Sequence, residues 1–197
     1  LGTIAAMAGQ DEPAWAHYFD VEIGRVQYLF FYLLAETLSF PFGVELGARL
    51  ALIAGLSSLP LAMAAFLVAQ GRSPLGAALS GAVALNIFVF WGFVNYCMAF
   101  SWAMLSLAAL SRLIKDLSWK NSAFYGAMVF LCFYTHAQVY GWVALASLVL
   151  LLSSIRNIGF QRAQIVAGRA VVGALPSIVG MLYWVYSSRL LQQGMAG

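Results

Sequence analysis

Long uncharged apolar runs divide this chain, and the charges between them mark where it is expected to turn. Residues 50 to 71, between Glu45/Arg49 and Arg72, carry no charge, which suffices for one bilayer crossing at roughly 20 residues per span. Pro60 near its middle is expected to kink it. Residues 73 to 111 form a second uncharged run. A single helix of that length would reach about 60 Å, twice the hydrocarbon thickness of a bilayer. Two spans are therefore predicted, with the turn in WGFVNY at residues 91 to 96. Residues 121 to 155 are uncharged as well and are interrupted by THAQVYG at 135 to 141. Two short spans are predicted there, one long tilted helix being the alternative. The last span is expected over roughly 170 to 188.

Composition fixes the class. The chain is 63% hydrophobic and 9% charged, with a mean hydropathy of +0.87, against about 25% charged residues in soluble domains. Strand-period alternation is absent, so an all-α, polytopic integral membrane protein is predicted, with about six transmembrane helices. A single domain is expected over residues 1–197: an extracytoplasmic loop with an interfacial helix at 10–49, then transmembrane helices over 50–188. The opening LGTIAAMAG has no basic region of the kind a signal peptide needs, and the close LLQQGMAG carries no terminal feature. The chain thus reads as a piece of a longer protein. Cys97 and Cys132 stand far apart inside apolar runs and are expected to be small core residues.

The net charge of +3 reads as loop bias rather than as a nucleic-acid footprint. Arg72, then Arg112, Lys115 and Lys120, then Arg156, Arg162 and Arg169 fall in three loops that share one side under this count. The positive-inside rule makes that side cytoplasmic. Arg25, Arg49 and Arg189, six of the seven acids, and the breaks at 91–96 and 135–141 fall on the other side.

Residues 23 to 40, IGRVQYLFFYLLAETLSF, are unusual in carrying both signs of charge within an apolar segment. At about 100° per residue, Arg25 and Glu36 lie within about 20° of each other on one helix face. Such a stripe should face water or protein rather than lipid. The segment either lies in the outer interface, the geometry preferred here, or crosses the membrane.

The polar residues within the apolar runs have two readings each. His136, with Tyr134, Gln138 and Tyr140 nearby, is either an interfacial anchor or a ligand-binding group at the mouth of a cavity. Asn95 and Tyr96 carry the same pair of readings. Asp11, Glu12, Asp20 and Glu22 are either surface acids or chemistry. Asp20 differs because Tyr18 and Phe19 precede it and a bilayer-facing helix follows. Partial desolvation there would raise its pKa towards general-base values.

The acidic DVE (Asp20 to Glu22), the amphipathic 23–40 segment, WGFVNY leading into CMAFSWAMLSLAAL, and FYTHAQVYGW follow one another in a particular order. That order resembles bacterial GT-C-type membrane glycosyltransferases, which take sugars from polyprenyl-phosphate donors. The resemblance covers most of the chain as a pattern of hydropathy and spacing. It implies a multi-pass protein of the bacterial inner membrane acting on the extracytoplasmic face. It further implies Asp20 as the base for an acceptor hydroxyl, with Glu22 as its partner or a metal contact. Asp11 with Glu12 is the competing acidic pair. His136 and Arg49 would meet the donor phosphate, and Asn95 and Tyr96 would line the substrate site. A divalent ion is compatible with this chemistry, although no ligand set of metal-site spacing is present. Two other classes fit the composition: a non-catalytic subunit of a larger membrane assembly, favoured by small residues such as Gly43 and Gly47, and a transporter fragment.

Overall fold

The computed structural model describes residues 28–84 and 93–194, with side chains as far as Arg189, and every element in them is helical. Helix α1 spans Phe30–Phe42 and α2 spans Val44–Ala69. A 3-10 turn, Pro74–Ala77, leads into the short α3, Ala78–Ala84. Then come α4 (Val94–Lys115), α5 (Trp119–Thr135), α6 (Ala137–Ile158) and α7 (Phe160–Gly194). Helices α2, α4, α6 and α7 as far as Arg189 are long and apolar enough to cross a membrane, as a multi-pass membrane protein requires. The 17 residues of α5 reach about 26 Å, slightly short of a hydrocarbon core of about 30 Å.

Side-chain contacts give the helix directions. Ser58 meets Ser101 and Gln70 meets Ser111, both at 2.7 Å, so α2 and α4 run parallel. The chain between Gln70 and Phe93 therefore returns from one end of the bundle to the other. Helix α5 runs back along α4, with Cys132 Sγ donating to the Ala99 carbonyl at 3.8 Å. Helix α6 doubles back on α5, where Tyr125 Oη and Ser147 Oγ lie 3.2 Å apart. Helix α7 is parallel to α5, since Ser122 Oγ donates to the Arg169 carbonyl and Gly180 packs beside Phe133 and Tyr134. Hydroxyls and one amide thus bridge the helices in a core with little other polarity, where small polar residues permit close approach.

Helix α4 is the axis of this arrangement. In its most apolar stretch 67% of the residues are buried by the rest of the chain, against 17% in α2, 22% in α6 and 17% in α7. Its alanines and serines (Ala99, Ser101, Ala103, Ser106, Ala109) are almost fully covered. Two glycines make turns without a loop. Gly43, between α1 and α2, and Gly159, between α6 and α7, both have φ 79° and ψ 159°, a conformation in which a Cβ is strained.

Several expected boundaries shift, each for a physical reason. Glu45 and Arg49 were expected to precede the first span, yet both belong to the opening turns of α2 and form an exposed i,i+4 ion pair at 2.5 Å. An acid in the first turn and a pair at that spacing favour helix, so these charges lengthen the helix instead of ending it. Helix α7 begins at Phe160 rather than near 170, because Arg162 and Arg169 extend to the carbonyls of Lys115 and Leu117 in the α4–α5 turn. The turn expected at 91–96 ends earlier, with Asn95 and Tyr96 already in the first turn of α4. Of the two spans expected over residues 73–111, α4 is the second, and where the first was expected the described residues hold only the 3-10 turn and the short α3. Helix α2 continues through Pro60.

Helix α1 starts later than the expected 23–40 segment and is 13 residues long, about 20 Å. That is too short to cross the hydrocarbon core on its own. It folds back antiparallel on α2, where Gly47 meets the backbone of Ser39: a Cβ on Gly47 would lie 2.6 Å from Ser39 N. The Gly43/Gly47 pair therefore divides its work, one residue making the turn and the other the close packing.

The bundle has two unlike ends. At one, Lys115 Nζ donates to the Ala69 carbonyl, and Arg162 and Arg169 bind the α4–α5 turn. The three basic loops are thus gathered together, as the charge count predicts. At the other end stand Leu29, Tyr96 and His136, with the α1–α2 hairpin and Arg189 beyond them.

Candidate functional site at the His136 helix break

The sequence THAQ contains neither proline nor glycine, yet α5 stops at Thr135 and α6 starts at Ala137. A single extended residue, His136 with φ −165° and ψ 113°, turns the chain. Its N–H donates to the Cys132 carbonyl at 2.9 Å and its carbonyl accepts from Tyr140 N at 3.1 Å. The break therefore leaves no backbone group of His136 unpaired, the condition for irregular backbone within a membrane. Thr135 Oγ1 donates to the Leu131 carbonyl at 2.6 Å, which satisfies its hydroxyl too.

His136 is 9% exposed and its imidazole sits between two tyrosine rings. Tyr28 meets it edge-on with centroids 4.9 Å apart, and Tyr96 does so at 5.0 Å. Tyr96 is backed in turn by Phe100 at 5.1 Å. Nδ1 of His136 is buried and has no hydrogen-bond partner among the described residues. An orphaned polar atom of this kind costs about 1–3 kcal/mol and calls for an explanation. Burial holds the ring pKa below its ordinary value of 6.5, so the ring is neutral at pH 7. One of its nitrogens is a donor and the other an acceptor.

Asn95 holds the incoming chain in place. Its Oδ1 accepts from Phe31 N and its Nδ2 donates to the Tyr28 carbonyl, both at 3.1 Å. Leu29 N adds a bond to the Tyr134 carbonyl at 3.1 Å. Three anchor points within four residues, Tyr28, Leu29 and Phe31, thus pin the start of α1 to α4 and α5. Phe30 packs its ring against Trp102 at 5.0 Å. Both polar groups of the Asn95 amide are occupied, so its part at this site is to position Tyr28 beside His136.

Of the site residues expected from sequence, the structure brings His136, Tyr96 and Asn95 together. Arg49 lies apart on the α1–α2 hairpin, its guanidinium paired with Glu45 and largely exposed. Asp20 and Glu22, with Asp11, Glu12 and Arg25, lie outside the described residues. Glu36, on α1, is half-buried. Among the described residues no three His, Cys, Asp or Glu side chains come close enough to hold a metal ion. Sequence reasoning missed Tyr28. Nothing marks it locally, since its importance comes from Asn95, 67 positions away. It also missed the contact of Arg169 with the face of Trp119, 4.8 Å from the ring centroid. The chain matches no protein-family model, no curated protein and no solved structure.

Proposed function

We propose that this chain is a membrane-embedded glycosyltransferase that moves a sugar from a polyprenyl-phosphate donor to an acceptor hydroxyl. In this reading residues 70 to 93 and α5 complete six crossings of a bacterial inner membrane, the basic loops are cytoplasmic, and the His136 break opens to the extracytoplasmic side. One observation carries the proposal. A buried, neutral imidazole whose Nδ1 has no partner among the described residues lies between two tyrosines, at the point where the acid-bearing N-terminal segment joins the bundle. Asp20 is eight residues before the anchored Tyr28, and a chain of that length spans at most about 29 Å.

The chemistry asks little of the protein beyond positioning and proton removal. The acceptor oxygen attacks the anomeric carbon and its proton passes to Asp20. The bond from that carbon to the phosphate oxygen breaks, and the polyprenyl phosphate leaves with the electron pair. His136 and Tyr96 hold the donor phosphate through neutral hydrogen bonds, and Arg49, on the α1–α2 hairpin beyond them, keeps the donors not used by Glu45 for an anion at that end. Asn95 acts as a positioning residue, through Tyr28. The test is sugar transfer from a labelled polyprenyl-phosphate sugar in membranes. Asp20→Asn should lower the rate on the order of 100-fold or more at unchanged expression, and His136→Phe should weaken donor use. Full activity in Asp20→Asn overturns its role as base.

A second reading has its own support. Three of the four long apolar helices are less than a quarter buried by their own chain, which suits an integral subunit whose faces are covered by other membrane proteins. Purification in mild detergent separates the two: stoichiometric partners favour the subunit, a clean monomer the enzyme.

A further inference from the structure

The α5–α7 contact leaves an apolar groove of about 650 Å³ along the bundle surface. Gly126 and Gly173 form its floor, where the helices approach so closely that a Cβ on either would strike the other helix's backbone. Phe130, Val172 and Pro176 form its walls. It runs from Trp119 to Leu131 on α5, about 18 Å along the helix axis. That matches one leaflet, half of a hydrocarbon core of about 30 Å.

The mouth of the groove is cationic and aromatic. Trp119 is 61% exposed there, with the Arg169 guanidinium stacked on its ring. Arg169 gives one donor to the Leu117 carbonyl, which leaves other arms of its five-donor fork for a ligand. Arg169 is one, and two, helical turns from Val172, Gly173 and Pro176, hence on the same face of α7. Lys120 is exposed and stands seven residues above Ala127 on the edge of the groove. Neither α5 nor α7 carries a single Asp or Glu. Asp116 is the sole acid after Glu45 in the chain, and it accepts from Asn121.

We infer that this groove binds one anionic phospholipid, its acyl chain between Phe130 and Pro176 and its phosphate between Lys120 and Arg169. Charge complementarity selects that occupant. A zwitterionic lipid brings the same phosphate together with a headgroup cation that Lys120 and Arg169 repel, and a second copy of the chain in the same membrane orientation would bring a like-charged end against this one. The inference does not depend on the proposed transferase activity, because its readout is lipid retention.

The purified chain in mild detergent is titrated with phosphatidylglycerol, or with phosphatidylcholine as the neutral reference, and bound lipid is counted by native mass spectrometry. Phosphatidylglycerol should be retained in preference to phosphatidylcholine. Lys120→Gln should weaken its retention about fivefold, the effect of one cation near a lipid surface. Ala127→Phe should abolish retention by filling the groove, whereas Arg156→Gln, at the same end but off the groove, and Ile53→Phe, on exposed α2, should leave it unchanged. Equal retention of the two lipids, or equal losses in Lys120→Gln and Arg156→Gln, overturns the inference. So does a lipid-free dimer. If Ala127→Phe does not fold, the contrast between Lys120→Gln and Arg156→Gln decides alone.

Discussion

The two ends of this bundle solve the same problem, closing helices at a membrane boundary, with opposite chemistry. At the basic end long cationic side chains cross from one helix to the carbonyls that terminate another: Lys115 to Ala69, Arg162 to Lys115, Arg169 to Leu117. No carboxylate pairs with any of these cations among the described residues. At the other end the closure is neutral. An asparagine amide, two tyrosine rings and a one-residue break at His136 hold α1, α4, α5 and α6 together. The lesson is one of stoichiometry. Cations with several donors satisfy helix ends and retain capacity for anions, whereas the neutral end, among the described residues, leaves one buried side-chain nitrogen without a partner. An exception so isolated is where a ligand would be sought.

The contrast depends first on the shaft that joins the ends. Gly126→Val would press a side chain into the Gly173 carbonyl, and α5 and α7 would have to separate along their length. A loss of about 3 kcal/mol or more is expected, or a melting midpoint in detergent lower by roughly 6–12 °C for a chain of this size. Gly141, whose Cβ would meet nothing within 4 Å, should accept alanine without loss. Equal losses at the two positions would remove the shaft from the account.

The neutral end should break next. Asn95→Leu strips the partners from Phe31 N and the Tyr28 carbonyl, and two stranded backbone groups imply a loss of about 2 kcal/mol or more. Limited proteolysis should then cut before α1 much faster, with α5 and α7 untouched. An unchanged cleavage pattern would mean that Asn95 does not anchor the entering chain.

How much of this was legible in the sequence depends on the kind of signal. The hydropathy pattern placed a break within THAQVYG, with one long tilted helix as the alternative, and His136 is where the chain turns. The three basic loops were legible too, since charges are excluded from the hydrocarbon and accumulate at its edges. Charges misled where they were already satisfied: Glu45 and Arg49 inside α2, Arg162 and Arg169 inside α7. A count of charges cannot tell a loop residue from a helical one whose side chain finds a partner. His136 and Tyr96 stood out as polar groups in apolar runs. Tyr28 did not, because its position comes from tertiary hydrogen bonds and no periodicity encodes those.

The smallest expected effect is a pH dependence confined to the neutral end. Above pH 6.5 His136 is uncharged in both folded and unfolded chains. Below that value the unfolded chain takes up a proton while the buried ring, with its lowered pKa, resists. The unfolded state then binds more protons, so stability falls as pH drops below about 6.5. Melting curves between pH 7.5 and 5.5 should show a decline that His136→Phe flattens. The rings of Tyr28 and Tyr96 are the groups that face His136. A decline of equal slope in His136→Phe would assign the effect elsewhere.

The most direct test of the two-ended arrangement is sidedness. Cysteine placed at Arg49, exposed on the α1–α2 hairpin, and at Lys120, exposed at the basic end, can be probed with a membrane-impermeant maleimide. The native Cys97 and Cys132 are buried and give little background. The account predicts that Arg49→Cys reacts in intact cells and Lys120→Cys only after the membrane is opened. Reaction of both from the same side would contradict it.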